Sequence, residues 1–183
     1  MKLLVLLVFF GVFVSLGHAQ GSHDFVWKSF ESKEAGFKIL LPCKPSKSEK
    51  VFQEKPKLAR SFGFNCSIGH FDFAISLPER FGDFDSANSD KELAEQEGTL
   101  KLMIDDKASV SAEAVTFQGF PAREFTVKSA SRIGEQLVIV HERGIYTVQL
   151  SYTAPNDSTL TEKQKSEFET AANKFVDSFE ILK

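Results

Sequence analysis

The stretch LVIVHERGIYTVQLSY, residues 137–152, decides the fold of this chain. Two apolar arms flank a polar turn near Gly144. The second arm has one apolar face, formed by Tyr146, Val148, Leu150 and Tyr152. The first arm is apolar on both faces from Leu137 to Val140, as is typical of a strand in the centre of a sheet. The stretch therefore predicts an antiparallel hairpin at the heart of a β-sheet.

Further strands are predicted on both sides of this hairpin, because the period-2 alternation of apolar residues continues. The later strands are predicted over residues 110–118, 120–129, 132–143 and 145–153, and the earlier ones over 58–68 and 71–77. Near the start, residues 27–32 and 37–41 are predicted to form two more short strands around the turn KEAG, where Gly36 can take the positive φ that a tight turn often requires. The polar segment between residues 44 and 57 is predicted to be a loop.

Two helices are predicted from capping boxes, in which Ser or Thr is followed three residues later by Glu or Gln. The first begins near Ser89, with Glu92 at the third position, and contains Gly98. The second begins near Thr161 and has a clear apolar stripe at helical spacing, formed by Phe168, Ala171, Ala172, Phe175, Val176 and Phe179. The pattern as a whole predicts an α+β protein, an antiparallel β-sheet flanked by helices.

The first residues predict a cleavable signal peptide. Lys2 precedes an apolar run that ends at Leu16, and small residues occupy the positions before a cut after Ala19. The run is shorter than the roughly 20 residues that a membrane-spanning helix needs, so we expect no stable membrane insertion. The expected organisation is a signal peptide at 1–19 and a single domain at 20–183, secreted or periplasmic.

The chain has two cysteines, Cys43 and Cys66. Each could be a reactive thiol, a metal ligand or half of a disulfide. No C-x-x-C motif is present, and the histidines are not spaced as zinc ligands would be. Strand parity places both thiols on inward faces of strands that the pattern makes neighbours, and export leads to an oxidising compartment. The sequence therefore predicts a structural disulfide between Cys43 and Cys66.

Composition narrows the classes of function. The net charge is −3, and one unit more negative once Lys2 is removed with the leader, so the basic face that nucleic-acid binding requires is not expected. The 19 phenylalanines against one Trp indicate core filling first and an apolar ligand pocket second. No G-x-S-x-G motif occurs. His141 and His70 are predicted to be surface residues, so neither indicates catalysis, and no catalytic residue, cofactor or metal is expected.

Two charged segments are candidate binding regions. The first is an irregular stretch from Pro78 to Asn88, whose candidate binding residues are Phe81, Asp83, Phe84 and Asp85. Aromatic and carboxylate side chains in one loop can form a ligand rim, although the later ligands of a calcium loop are missing here. The second is the polar segment that follows Cys43, whose candidate docking residues are Lys44, Lys47, Lys50, Lys55 and Lys57. For the first segment the simpler alternative is that Phe81 and Phe84 close over the end of the sheet while the acids face water, and for the second it is a solvated loop.

Five short motifs resemble those of small exported bacterial proteins of unassigned function with a PsbP-like fold. The motifs are WKSF (27–30), EAGFKILLPCKP (34–45), GFPAREF (119–125), RGIYTVQLSY (143–152) and AANKFVDSFEI (171–181). The resemblance implies an antiparallel sheet sandwiched between helices, an α/β/α arrangement. This chain departs from the family pattern at Cys43, where a glycine is common. Members of the wider fold serve as accessory subunits of photosynthetic complexes or as protein-binding factors, and the resemblance supplies no catalytic residue.

The functional expectation is a secreted or periplasmic, non-enzymatic binding or accessory protein whose partner is a protein or a cell-envelope component. One alternative is a carrier that holds a small apolar ligand in a pocket between the sheet and the helices. Another is a hydrolase, which would require His141 or His70 in a cleft beside a serine and a carboxylate.

Overall fold

The computed structural model describes residues 25–54, 57–79, 88–103 and 107–182. The predicted signal peptide, Lys55 and all four residues of the candidate binding loop (Phe81, Asp83, Phe84 and Asp85) lie outside these ranges. Within the described residues the chain is mostly strand, with two antiparallel sheets and two α-helices. The expected α+β class is thus confirmed.

A three-stranded sheet joins the two ends of the described chain. It consists of β1 (Lys28–Ser32), β2 (Phe37–Leu41) and β10 (Glu180–Ile181), in the order β1-β2-β10. The turn between β1 and β2 contains Gly36 at φ 67°, as the turn prediction required. The sequence did not predict β10, because two residues are too few to show an alternating pattern.

A seven-stranded antiparallel sheet holds the remaining strands. In chain order they are β3 (Ser46–Glu54), β4 (Lys57–Ile68), β5 (Phe71–Glu79), β6 (Ser109–Phe117), β7 (Phe120–Lys128), β8 (Arg132–His141) and β9 (Gly144–Thr153). Their order across the sheet is β3-β4-β5-β9-β8-β7-β6, so the hairpin of β8 and β9 occupies its interior as predicted.

The polar segment after Cys43 is where the prediction was wrong. Most of it forms β3, which pairs with β4 from Ser46↔Asn65 to Glu54↔Lys57 and makes one edge of the large sheet. An edge strand can be polar on both faces, so it lacks the apolar alternation that marks an inner strand. The irregular stretch predicted to begin at Pro78 also starts too early, because Pro78 and Glu79 still belong to β5.

The helices α1 (Ser89–Met103) and α2 (Glu162–Asp177) pack on opposite faces of the large sheet. Leu137 and Ile139 of β8 belong to the main core beneath α2, whereas Val138 and Val140 form a smaller cluster with Leu93 of α1. Successive side chains of a strand point to opposite faces, so the two clusters lie on either side of the sheet. The predicted capping box of α2 is present, with Thr161 Oγ1 accepting from the backbone N–H of Gln164.

The phenylalanines fill the main core, which lies between the two sheets and α2. Phe37 of β2 contacts Phe64 of β4 edge-on at 5.2 Å, and Phe73 of β5 contacts Phe175 of α2 at 5.1 Å between ring centroids. All four rings are at most 2% exposed. Aromatic pairs in such tilted arrangements are favourable beyond their area burial. The apolar stripe predicted for α2 faces this core through Phe168, Ala171, Ala172 and Phe175.

The disulfide between Cys43 and Cys66 is present, with the two Cα atoms 5.9 Å apart. Cys66 is 4% exposed in β4 and Cys43 packs half-buried against the same core, so the parity argument is confirmed. The two strands are not neighbours in one sheet, however. Cys43 follows β2 of the small sheet, and the bond therefore links the small sheet to the large one across the core.

Candidate functional site

A surface cleft of about 1290 Å³ lies where three turns and the C-terminal segment meet. The turns are those between β1 and β2, between β6 and β7, and between β8 and β9. The lining residues are Glu31, Lys33, Gly36, Gln118, Phe120, His141, Glu142, Arg143 and residues 180–182. The turns after β6 and β8 lie at the same end of the large sheet because β6, β7, β8 and β9 are adjacent antiparallel strands.

His141 is the least expected residue of the cleft. It was predicted to lie at the surface, yet it is only 7% exposed, because Phe120 covers its ring at 4.6 Å and Tyr146 contacts it at 5.7 Å between ring centroids. Burial lowers the pKa of His141, the carboxylate of Glu142 opposes this shift, and the charge of Arg143 adds to it. The imidazole is therefore favoured in its neutral form near neutral pH.

One nitrogen of His141 is left for a ligand. The backbone N–H of Arg143 donates to Nδ1 at 3.1 Å, so the proton of the neutral ring lies on Nε2. Among the described residues this Nε2–H has no hydrogen-bond acceptor. The cleft thus presents a neutral donor beside the aromatic face of Phe120, a combination suited to orienting a polar group of a bound molecule.

Arg143 fixes the floor of the cleft. Its guanidinium donates to the backbone carbonyl of Glu34 at 2.5 Å and forms an ion pair with Glu79, whose side chain is 11% exposed. Gly36 makes this position available, because a Cβ at residue 36 would lie 2.3 Å from Nη1 of Arg143. A buried carboxylate held by a charged partner is costly to disturb, so these contacts keep the β1–β2 turn against the β8–β9 turn.

Gln118 holds the C-terminal segment at the opposite wall. Its side-chain amide donates to the carbonyl of Phe179 at 3.0 Å and accepts from the N–H of Ile181 at 3.1 Å. The residue has φ 50°, a left-handed conformation that glutamine rarely adopts. The two hydrogen bonds to the chain terminus offset this strain, and they give a reason for glutamine in a turn that usually takes Asn or Gly.

Two of the lysines predicted to form a docking loop, Lys47 and Lys50, do not share a face of the structure. Lys47 points to the core face of β3, where it pairs with Glu34 and lies 5.5 Å above the ring of Phe62. Lys50 lies three residues after Lys47 in the same strand, and successive side chains alternate, so Lys50 points to the opposite face of β3. Lys44 is exposed before the strand, and Lys57 begins β4. Lys47 and Lys50 therefore lie on opposite faces of an edge strand.

His70, the other histidine considered, is exposed in the turn between β4 and β5, as predicted. It lies at the far end of the large sheet from the cleft, because β5 begins beside it and ends at Glu79. The structure therefore does not bring the two histidines together. Among the described residues no group of His, Cys, Asp and Glu has an arrangement that could hold a metal ion.

The fold and the cleft together define a disulfide-linked, mostly β, α+β protein with a polar and aromatic cleft at one end of its large sheet. No protein-family model and no curated protein matches the sequence. Among solved structures, the chain is similar to PA94, a protein of unknown function from Pseudomonas aeruginosa, with 12% sequence identity and a TM-score of 0.41. The similarity covers 81% of this chain and 95% of the other. Neither helix of the described ranges has both the length and the apolarity needed to cross a membrane.

Proposed function

We propose that this chain is a secreted or periplasmic binding protein, without enzymatic activity of its own, that holds a protein or cell-envelope component in the cleft. The observation behind the proposal is the uncommitted Nε2–H of His141 in a cleft whose walls are fixed by Arg143 and Gln118. A site whose polar groups are held in place before binding loses little entropy when a ligand arrives.

The disulfide supports the proposed compartment. Disulfides persist in exported proteins and are rare in the reducing cytosol. The proposed PsbP-like α/β/α fold is compatible with helices on both faces of the large sheet and adds the accessory-protein role by analogy alone. A test is N-terminal sequencing of the protein recovered from its native host. We expect the chain to begin at Gln20, and an intact Met1 on the mature protein would contradict export.

Site-specific photocrosslinking tests the cleft. A benzoylphenylalanine placed at Glu142, an exposed residue of the cleft, should give a discrete adduct in cells of the native host. The matched control is the same probe at Asp157, which is exposed and follows the far end of β9. The adduct at Glu142 should weaken when His141→Gln is added. Equal adducts at both positions, or none at Glu142, would refute the cleft as the binding site.

The alternative, a carrier of an apolar ligand, is disfavoured by the packing of the interior. Such a ligand would lie where the ring of Phe37 contacts that of Phe64 and the ring of Phe73 contacts that of Phe175, all within the main core. Native mass spectrometry of protein purified from its host distinguishes the two, since a carrier retains its ligand. We expect the mass of the disulfide-bonded chain alone.

A further inference from the structure

The two edges of the large sheet are protected to different degrees. Edge strands expose unpaired backbone groups, and proteins discourage pairing there with charges, prolines or bulges. The strand β3 carries Lys47, Glu49 and Lys50 on its edge. The strand β6, SVSAEAVTF, contains one charged residue, Glu113, and no proline. Its register with β7 runs without a bulge from Ser109↔Lys128 to Phe117↔Phe120. Among the described residues, β6 is therefore an unprotected edge.

The outward-facing backbone groups of β6 follow from its turn. Gln118 and Gly119 form a two-residue loop, with φ of 50° and 89°. In such a hairpin the flanking pair, Phe117 and Phe120, exchanges both hydrogen bonds, and alternate residues do so along the ladder. The residues between them direct N–H and C=O away from β7, and among these Ala112 and Ala114 are also exposed in their side chains. The backbone N–H and C=O groups of Ala112 and Ala114 can therefore hydrogen-bond to an added strand without any rearrangement of β6.

The charges beside β6 indicate what kind of strand would pair. Glu113 lies directly opposite Glu124 of β7, an unfavourable like-charge cross-strand pair. Glu135 of β8 lies on the same face, and its pKa is raised by burial first and then by Glu124 and by Glu169 of α2. The positive charge of Lys128 lowers the pKa of Glu135 and so opposes this shift. A positive charge opposite Glu113 on an added strand would offset the repulsion between Glu113 and Glu124.

We propose that the free edge of β6 binds an extended segment of another protein, which adds as a further strand with Lys or Arg opposite Glu113. The residues on either side of that cation would lie on the face of Ala112 and Ala114, where these small side chains leave room for large apolar ones. Such strand addition takes its affinity from main-chain hydrogen bonds and its specificity from alternate side chains. A second copy of this chain fits less well, since symmetric antiparallel pairing centred on β6 sets Glu113 against Glu113.

The proposal is tested with two peptides that carry fluorescein on the N-terminal amine, fluorescein-Ser-Thr-Phe-Lys-Phe-Thr-Ser-amide and the same peptide with Glu in place of Lys. Fluorescence polarisation should show that the intact protein binds the Lys peptide roughly threefold to tenfold more tightly than the Glu peptide. The Glu113→Lys variant should reverse this preference. Equal affinities for both peptides, or a preference that Glu113→Lys leaves unchanged, would overturn the choice of a basic partner.

The backbone part is tested separately. Ala114→Pro removes an outward N–H and spares the ladder to β7, so it should abolish peptide binding, while Ala114→Ser should bind like the parent protein. The thermal midpoint of each variant reports folding. If Ala114→Pro does not fold, alternate N-methylation of the Lys peptide gives the same test. Binding that survives both changes would refute strand addition.

The edge and the cleft are distinguished by a further pair of measurements. His141→Gln should leave affinity for the Lys peptide unchanged, because His141 does not lie in β6. Concentration-dependent dimerisation of the protein alone, lost in Ala114→Pro, would show that the edge serves a second copy and would overturn the proposed partner.

Discussion

Replacing both cysteines by alanine tests the link between the two sheets. The closed loop spans a sequence separation of 23 residues. On the chain-entropy model, closing a loop of that length in the unfolded chain contributes about 3.4 kcal/mol to the free energy of unfolding. For a domain of this size each kcal/mol shifts the melting temperature by roughly 2–4 °C, so we expect the Cys43→Ala/Cys66→Ala variant to melt roughly 7–14 °C below the parent protein.

Calorimetry of the oxidised protein, the reduced protein and the double variant provides the assay. The reduced parent should melt close to the double variant, and reductant should leave the double variant unchanged, which makes it the matched control. Hydrogen exchange adds a spatial readout. Because the bond ties β2 to β4, amides of the small sheet should lose more protection on reduction than those of the β8–β9 hairpin.

The reasoning fails if the three samples melt within the error of the measurement, since the loop entropy would then be absent. It also fails if mass analysis of the native protein finds two free thiols. A loss of protection spread evenly over both sheets would show that the bond constrains the unfolded chain without holding the sheets together.

Four further predictions each concern the substitution of one residue. Burial is the main cause that lowers the pKa of His141 from 6.5, so the unfolded chain binds the proton more readily than the folded one. The contribution of His141 to the free energy of unfolding is therefore full above pH 6.5 and falls as the pH drops below it. His141→Gln should flatten this pH dependence in urea titrations. Gln118→Gly keeps the turn and removes two hydrogen bonds, so it should lower the free energy of unfolding by about 1–2 kcal/mol. The amide of Ile181 should also become exposed to hydrogen exchange. Gly98 lies in α1, where an added Cβ would meet no other atom, so Gly98→Ala should raise the free energy of unfolding by about 1 kcal/mol. Gly144→Ala should lower it by more than about 2 kcal/mol, as measured by thermal unfolding.

Each of these has a control. His70→Gln removes an exposed histidine and should leave the pH dependence as it is in the parent protein. An undiminished pH dependence in His141→Gln would assign it to other groups. Unchanged protection of Ile181 in Gln118→Gly would mean that β10 is held by its pairing with β2 alone. Gly144 fails as an alanine site because a Cβ would lie 2.3 Å from the carbonyl oxygen of Pro78, so normal stability there would require that strand to move.

Local patterns predicted most of the elements in this fold. The β8–β9 hairpin and α2 are set by alternation, by Gly144 and by the capping box at Thr161, all of which act within a few residues. The strand β3 was missed because its alternating Lys, Ser and Glu resemble a solvated loop until a partner strand is known. The third strand of the small sheet depends on β10 pairing with β2 from the other end of the described chain, which no local pattern encodes.

The cleft was harder to predict than the fold. His141 has charged neighbours in sequence, and its burial comes from Phe120 on the preceding hairpin, so sequence proximity gave the wrong environment. Arg143 and Gln118 likewise act on Glu79 and Ile181, distant in the chain. The glycines at 119 and 144 were a usable signal, since they mark two hairpin turns that adjacent antiparallel strands bring to the same end of the sheet.

The small sheet has a consequence for the order in which the protein matures. Among the described elements its middle strand, β2, precedes every strand of the large sheet, and one of its neighbours, β10, follows them all. As the chain emerges, β2 can pair with β1 first, and its second neighbour arrives only after the strands of the large sheet. A chain that stops before residue 180 therefore retains those strands but lacks the wall of the cleft that Gln118 anchors.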